Sequence, residues 1–91
     1  MTRQECLNAA NIATGGHRQS DYGKPEDNFG RIAGLWSAYM GVTITTVDVC
    51  MMMAMLKAAR VKGANGKPTD DCFVDLCGYA ACAAEINGGM K

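Results

Sequence analysis

Two aspartates near the end of the chain have the spacing of ligand-binding residues. Asp71 and Asp75 are four residues apart, so both carboxylates lie on one face of a helix. Asp48 is a third acid, but antiparallel packing of its helix against the helix of Asp75 would leave the two at opposite ends. Helix capping is the alternative role for Asp48 and Asp71. Asp75 lies a full turn inside its helix, so capping does not explain it and it is the strongest candidate.

Basic and aromatic side chains supply the other groups that a phosphorylated aromatic ligand needs. Guanidinium and ammonium groups bind phosphates, and the candidates are Arg18, Arg31, Lys57 and Arg60. Aromatic rings stack on bases, and the candidates are Tyr22, Trp36 and Tyr79. The alternatives are ordinary surface charge for the basic set and core packing for the aromatic set.

Established catalytic motifs are missing from the sequence. It contains no GxSxG, P-loop or HExxH pattern, and its one histidine, His17, is predicted to be a solvated loop residue. The five cysteines are an odd number without zinc-site spacing. They are therefore predicted to be small buried hydrophobes in a reducing cytosol.

Length and charge exclude several classes of protein. Ninety-one residues predict a single domain over residues 1–91. The nine basic and nine acidic residues cancel, so polymeric nucleic acid is an improbable ligand. No apolar run reaches the roughly 18 residues of a membrane span, and the polar N-terminus predicts no signal peptide. We therefore expect a protein of the bacterial cytosol that does not engage a membrane.

Helix signals divide the chain into four segments, which predicts an all-α fold, a small bundle of about four helices. A T-x-x-E capping box at Thr2 begins the first helix, and a T-x-x-D box at Thr45 begins the third. Asp27 or Asn28 is expected to cap the second helix after a long charged loop. Thr69 or Asp70 is expected to cap the fourth. The predicted ranges are about 2–14, 27–41, 46–62 and 70–86.

The second and third predicted helices differ in how their apolar residues are arranged. In the second, one face carries Phe29, Ile32, Trp36 and Tyr39, so this helix is expected to organise the core. In the third, the central run VCMMMAML is apolar on every side. A helix that is apolar all round must be buried all round, which a chain of this size cannot achieve alone. We therefore predict a homo-oligomer.

Taken in order, these motifs resemble those of a family of small phage and prophage proteins. The shared pattern is DYG (21–23), P (25), NF (28–29), IA.LW.AY (32–39), T.VDV (45–49), LK.AR (56–60) and D...DL.GYAA (71–81). The last motif is also similar to the last core helix of the MazG-like all-α nucleotide pyrophosphohydrolases. That similarity implies a helical, oligomeric protein that binds nucleotides through Mg²⁺ held by acids on its helices.

The MazG-like similarity also implies roles for three acids. Asp75, with Asp71, would belong to the last metal-binding helix, and Asp48 would be the acid of the helix before it. The wider family has an E-x-x-E pair on that earlier helix, whereas this chain has the run DVCMMMAMLK with a single acid. Three acids suit one Mg²⁺ with waters better than a two-metal site.

Three functions are therefore hypotheses. The first is a protein that sequesters a nucleotide-derived immune signal, of a cyclic or ADP-ribose type, without strong catalysis. Its phosphate ligands would be Arg18, Arg31 and Arg60, with Tyr22 and Trp36 stacking the base and Asp21, Asn28 or Asp75 bonding base or ribose. The second is a Mg²⁺-dependent enzyme that splits a nucleoside triphosphate into monophosphate and pyrophosphate, with Lys57 or Arg60 on the phosphates. The third is an interaction protein that uses its methionine-rich helix as the partner surface.

Overall fold

Helices make up most of the part of the chain that the structure describes. The structure is a computed structural model and describes residues 1–15, 24–63, 65 and 68–89. Within these ranges the elements are α1 (Arg3–Thr14), α2 (Pro25–Met40), α3 (Thr46–Gly63) and α4 (Asp70–Asn87). No strand occurs in them, so the all-α prediction is confirmed.

Both predicted capping boxes are confirmed. At the start of α1, the Glu5 N–H donates to Thr2 Oγ1 over 3.1 Å and the Thr2 N–H donates to Glu5 Oε1 over 2.8 Å. At the start of α3, the Asp48 N–H donates to Thr45 Oγ1 over 3.0 Å and the Thr45 N–H donates to Asp48 Oδ2 over 2.9 Å. Each box satisfies two backbone donors that a helix start leaves without partners.

The start of α2 differs from the prediction. The helix begins at Pro25 with Lys24 as its N-cap, so the expected caps Asp27 and Asn28 were wrong. Proline suits the first helical turn because its fixed φ is helical and no partner is needed there for an N–H. The helix ends as predicted at Gly41, which adopts a φ of 70° and donates its N–H to the Ser37 carbonyl over 2.9 Å.

The start of α4 agrees with one of the two predicted caps. Thr69 is the N-cap residue, but its hydroxyl makes no capping hydrogen bond with the backbone. The Thr69 Oγ1 instead lies 3.8 Å from the Sγ of Cys72. Capping at this helix is therefore weaker than at α1 and α3.

The core lies between α3 and α4 and consists of small side chains. Cys50, Cys82 and Ala83 form a buried cluster against which Val47 and Ile86 pack. Cys50, early in α3, thus clusters with residues late in α4, whereas Lys57, further along α3, pairs with Asp75, earlier in α4, so the two helices run antiparallel. The helices approach closely because their facing side chains are small.

The aromatic stripe of α2 is not the core, and this expectation was wrong. Tyr39 is 89% exposed and Leu35 is 71% exposed, whereas Trp36 and Phe29 are only partly buried. The reason is that α3 pairs mainly with α4, whose small residues admit a closer approach than the rings of α2 would. Phe29 contributes from the edge of the core cluster.

Helix α1 also packs against α4. The Sγ atoms of Cys6 and Cys77 lie 3.9 Å apart. Gly78 is buried, and a Cβ atom at this position would lie 3.3 Å from the Thr14 Cγ2. The absence of a side chain at Gly78 therefore allows α1 to reach α4.

Among the described helices, none combines the length and apolar character that crossing a bilayer requires.

Candidate functional site

One turn of α4 contacts both α2 and α3 with functional side chains. Asp75 pairs with Lys57 of α3, and Tyr79 packs against Phe29 of α2. Asp75 and Tyr79 are four residues apart, so they are neighbours on one face of α4. We call these four residues the helix junction. It unites three of the predicted ligand residues, namely Lys57, Asp75 and Tyr79.

A partly buried ion pair forms the polar half of the helix junction. The Lys57 Nζ lies 2.9 Å from the Asp75 Oδ2, and the two side chains are 16% and 38% exposed. The methylene stem of Lys57 is therefore largely covered while its charged end reaches the carboxylate. A contact of this length is a charge-assisted hydrogen bond. The pair therefore holds one cation and one anion side by side on neighbouring helices.

Two tilted rings form the apolar half. The ring centroids of Phe29 and Tyr79 are 6.0 Å apart, with 57° between their planes. This geometry is within the range of favourable aromatic pairs. Both residues are partly exposed, so ring surface remains for a planar ligand. Sequence reasoning did not name Phe29 as a ligand residue. Phe29 belongs to the NF motif, but that motif does not indicate that Phe29 contacts Tyr79.

The described residues on both sides of positions 16–23 reach the same turn of α4. Thr14, before the gap, packs on Gly78, and Phe29, after it, packs on Tyr79. The predicted ligand residues between them lie outside the described residues and stay predictions; they are Arg18, Asp21 and Tyr22.

The remaining predicted ligand residues are more dispersed. Asn28 is partly buried in the first turn of α2, whereas Arg31 and Arg60 are exposed on α2 and α3. Arg60 lies nearly one turn beyond Lys57 on α3. Trp36 belongs to a separate apolar hollow of about 440 Å³, which is lined by Trp36, Tyr39, Met40, Ile44 and Met52. Trp36 is two turns further along α2 than Phe29, so the hollow is distinct from the helix junction.

The three acids predicted to hold Mg²⁺ have separate roles in one chain. The Asp48 carboxylate accepts a hydrogen bond at the start of α3, Asp71 is exposed in the first turn of α4, and Asp75 pairs with Lys57. Across the described ranges, no three His, Cys, Asp or Glu residues are grouped to hold a metal ion. These donors do not fit a magnesium site on their own. The magnesium prediction stays a prediction that needs donors from a second subunit or from residues outside these ranges.

Two of the described cysteines have thiols whose pKa is raised. Burial raises the pKa of the Cys50 thiol to about 11, so it is neutral at physiological pH. Burial, followed by the hydrogen bond with Cys77, also raises the pKa of the Cys6 thiol. A neutral thiol is a poor nucleophile. Cys50 and Cys82 are buried as predicted, whereas the prediction was wrong for Cys6, Cys72 and Cys77, which are only partly buried.

Comparison with known proteins identifies the family. A model of the family described as Domain of unknown function (DUF6378) matches residues 5–87. The chain belongs to this family. The Gene 55 protein of Mycobacterium phage D29 is 39% identical over 83 residues, which cover 91% of this chain and 54% of that protein. The Gene 55 protein of Mycobacterium phage L5 is 45% identical over 75 residues, which cover 81% of this chain and 47% of that protein.

These relatives confirm the resemblance to a phage protein family. The DUF6378 chain spans about half the length of the curated relatives it matches. The similarity to MazG-like enzymes stays a prediction. No solved structure matches the chain.

Proposed function

We propose that the DUF6378 chain binds a nucleotide-derived small molecule at the helix junction and retains it without turning it over. The observation that carries this proposal is the 2.9 Å pair of Lys57 and Asp75 beside the rings of Phe29 and Tyr79. A cation, a carboxylate and an aromatic surface lie within one helical turn. A nucleotide offers the matching groups, namely phosphate, ribose hydroxyls and a planar base.

Each group of the helix junction has a defined role in this proposal. Lys57 exchanges its bond with Asp75 for a bond with a phosphate oxygen. Asp75 then accepts hydrogen bonds from a ribose hydroxyl or a base amino group. The base stacks on the exposed surface of the ring pair, an interaction worth about 1–3 kcal/mol per base. Arg60, exposed on the same helix as Lys57, adds a second cation for a ligand with more than one phosphate.

The arrangement of the acids favours binding over hydrolysis. Splitting a triphosphate requires metal ions that neutralise the developing charge and activate water. Lys57 already compensates the charge of Asp75, and one carboxylate oxygen of Asp48 accepts the Thr45 N–H at the start of α3. A protein with cationic and aromatic groups but no assembled acid cluster in the described ranges suits retention of an intact ligand. For a phage protein, sequestering a nucleotide-derived immune signal would protect the infecting phage.

The experiment presents the full chain with a panel of nucleoside phosphates, cyclic dinucleotides and ADP-ribose-type molecules, with and without Mg²⁺. Protein and solution are separated by filtration, and bound molecules are released by heat. Intact ligand that is recovered only from the denatured protein supports the proposal, and Mg²⁺ should not change the amount. Cleaved product in solution would overturn the proposal and favour the hydrolase hypothesis. No ligand in either fraction would overturn it.

Paired variants test whether the helix junction is the site. Lys57→Met preserves the stem but removes the charge, and we expect it to weaken retention by about 10-fold or more, because hydrogen bonds to charged groups contribute about 1.5–3 kcal/mol. Arg3→Met, an exposed charge on α1, is its control and should have no effect. Asp75→Asn should weaken retention, whereas Glu85→Gln, an exposed acid on the same helix, should not. Equal effects of variant and control would exclude this site.

A further inference from the structure

The outer face of α3 carries an exposed stripe that helix packing within one chain leaves uncovered. Asp48 begins it in the first turn and Lys62 ends it in the last turn. Met55, at its centre, is 61% exposed. We call this set the outer stripe; its exposed members are Asp48, Met51, Met52, Met55, Ala58, Ala59 and Lys62. They recur every three or four positions, the spacing of a helix–helix contact seam.

The outer stripe is complementary to itself when reversed. A second copy of α3, antiparallel and centred on Met55, would place Asp48 opposite Lys62 of that copy. The large Met51 would then face the small Ala59, because both lie four positions from Met55. Met52 and Ala58 are matched in the same way. An isologous twofold contact requires such reciprocal pairs, and each pair of residues then occurs twice, once on each side of the axis.

We propose that the DUF6378 chain forms an antiparallel twofold dimer through the outer stripe of α3. The charges decide between the two orientations of the second copy. A parallel pair would bring Asp48 to Asp48 and Lys62 to Lys62, which places like charges together at both ends. An antiparallel pair gives two Asp48–Lys62 contacts instead. The hydrogen bond from Thr45 engages only one carboxylate oxygen of Asp48, so the other oxygen can meet the ammonium group.

The apolar surface continues from the outer stripe onto α2. Met52 belongs both to the stripe and to the apolar hollow, whose other walls include Tyr39 and Met40. Both of these residues are exposed. Stable dimers bury about 800 Å² on each partner, more than one narrow helix face supplies. The contribution of α2 extends the contact towards this size, and an exposed apolar patch of this kind marks an interaction site.

The proposed dimer goes beyond the proposed function and leaves the helix junction open. Lys57 faces α4 from the inner side of α3, whereas Met55 points outwards. A variant of the outer stripe should therefore change self-association without changing ligand retention, and Lys57→Met should do the reverse. Failure of one proposal can thus be told apart from failure of the other.

The first experiment measures the dimer dissociation constant of the full chain by sedimentation equilibrium over a wide concentration range. Lys62→Asp should raise this constant about 10-fold, because two attractive contacts between exposed charges become repulsive. Ala59→Met should also raise it, because two methionines then meet, and the double variant Met51→Ala with Ala59→Met should return it to within about threefold of the original chain. Absence of this recovery, in variants whose helical circular dichroism is unchanged, would overturn the antiparallel register.

The second experiment places a charge at the centre of the outer stripe. Met55→Lys brings two ammonium groups together on the twofold axis and should raise the dissociation constant about 100-fold. Leu7→Lys is the control, because Leu7 lies on α1 with similar exposure, 55% against 61%. A chain that stays monomeric at millimolar concentration, or a dimer that Met55→Lys does not weaken, would overturn the proposal.

Discussion

The two faces of α3 differ in the size of the side chains that they present. The inner face packs Val49, Cys50 and Ala54 into buried positions, and two of these three are fully buried. The outer face displays Met51 and Met55 to solvent. Both faces are apolar, yet the larger side chains lie outside. Apolar character alone therefore does not decide which side of a helix enters the core, and the side chains that allow close helix contact are preferred there.

This contrast separates residues that maintain the fold from residues that are available for association. Small side chains on the inner face bring the helix backbones together and position Lys57 beside Asp75. Methionines on the outer face are flexible and polarizable, which suits them to contacts between molecules. A disruptive substitution on the inner face should lower the stability of the fold, whereas one on the outer face should weaken association between chains.

The largest expected effect is the difference in stability between an aspartate on the inner face of α3 and an aspartate on its outer face. Val49→Asp should unfold the chain, because an unpaired carboxylate in a fully buried position costs several kcal/mol, a large part of the stability of a small domain. Met55→Asp should retain the helical circular dichroism spectrum and lose at most about 1 kcal/mol, mostly helix propensity. Similar urea unfolding midpoints for the two variants would contradict the distinction between the faces.

Thiol labelling measures how well the inner face excludes solvent. Burial raises the pKa of Cys50 to about 11, whereas a free cysteine has a pKa of about 8.5, so its thiolate is roughly 100-fold scarcer at pH 8. Iodoacetamide should therefore label Cys50 at least about 100-fold faster in urea than in the folded chain, as measured by peptide mass spectrometry. A raised folded pKa also means that stability is intact below the unfolded pKa and falls as pH rises towards 11. Rapid labelling of Cys50 in the folded chain would show that the core is open.

A glycine substitution tests the contact between α1 and α4. Gly78→Val should lower the free energy of unfolding by about 1–3 kcal/mol, since even its Cβ would lie 3.3 Å from the Thr14 Cγ2. Thr14→Ser removes that methyl group and should recover part of the loss in the double variant. Gly34→Val is the matched control, because Gly34 lies in α2 with no atom within 4 Å of the new Cβ. Equal changes in stability at Gly78 and Gly34 would mean that the close contact with Thr14 is not responsible for the loss.

The smallest expected effect concerns the ion pair of the helix junction. A double-mutant cycle with Lys57→Met and Asp75→Asn should give a coupling of at most about 1 kcal/mol, because Asp75 is 38% exposed and solvent screens the pair. Urea unfolding at low and high salt provides the measurement, and salt should reduce the coupling. A coupling of several kcal/mol would mean that the pair maintains the fold and is not free to exchange with a ligand.

Much of the local structure followed from short-range sequence signals. The boxes at Thr2 and Thr45 and the helix end at Gly41 were predicted, because each depends on hydrogen bonds or backbone angles within a few residues. The start of α2 was misassigned because Asp27 and Asn28 are good caps, but Pro25 already favours the first turn. Competing local signals decided that boundary.

The candidate site was only partly predictable. Lys57, Asp75 and Tyr79 were selected by residue type, and their assembly at one turn of α4 depends on the register between helices that are distant in sequence. The contact between Phe29 and Tyr79 was not predicted, because Phe29 was expected to belong to the core stripe of its helix. Trp36 stays a predicted base-stacking residue, and the structure places it in the wall of the separate apolar hollow.

The sequence by itself determined the helical segments of the described ranges and their capping boxes. It also showed that the third predicted helix has more apolar surface than one small chain covers. Only the tertiary structure decided which face of that helix is inside, that Tyr39 is exposed, and that Lys57 meets Asp75. The physical reason is how far apart along the chain the interacting residues lie. Capping and periodicity involve residues three or four positions apart, whereas the pairing of faces depends on how closely side chains from distant segments allow two helix backbones to approach.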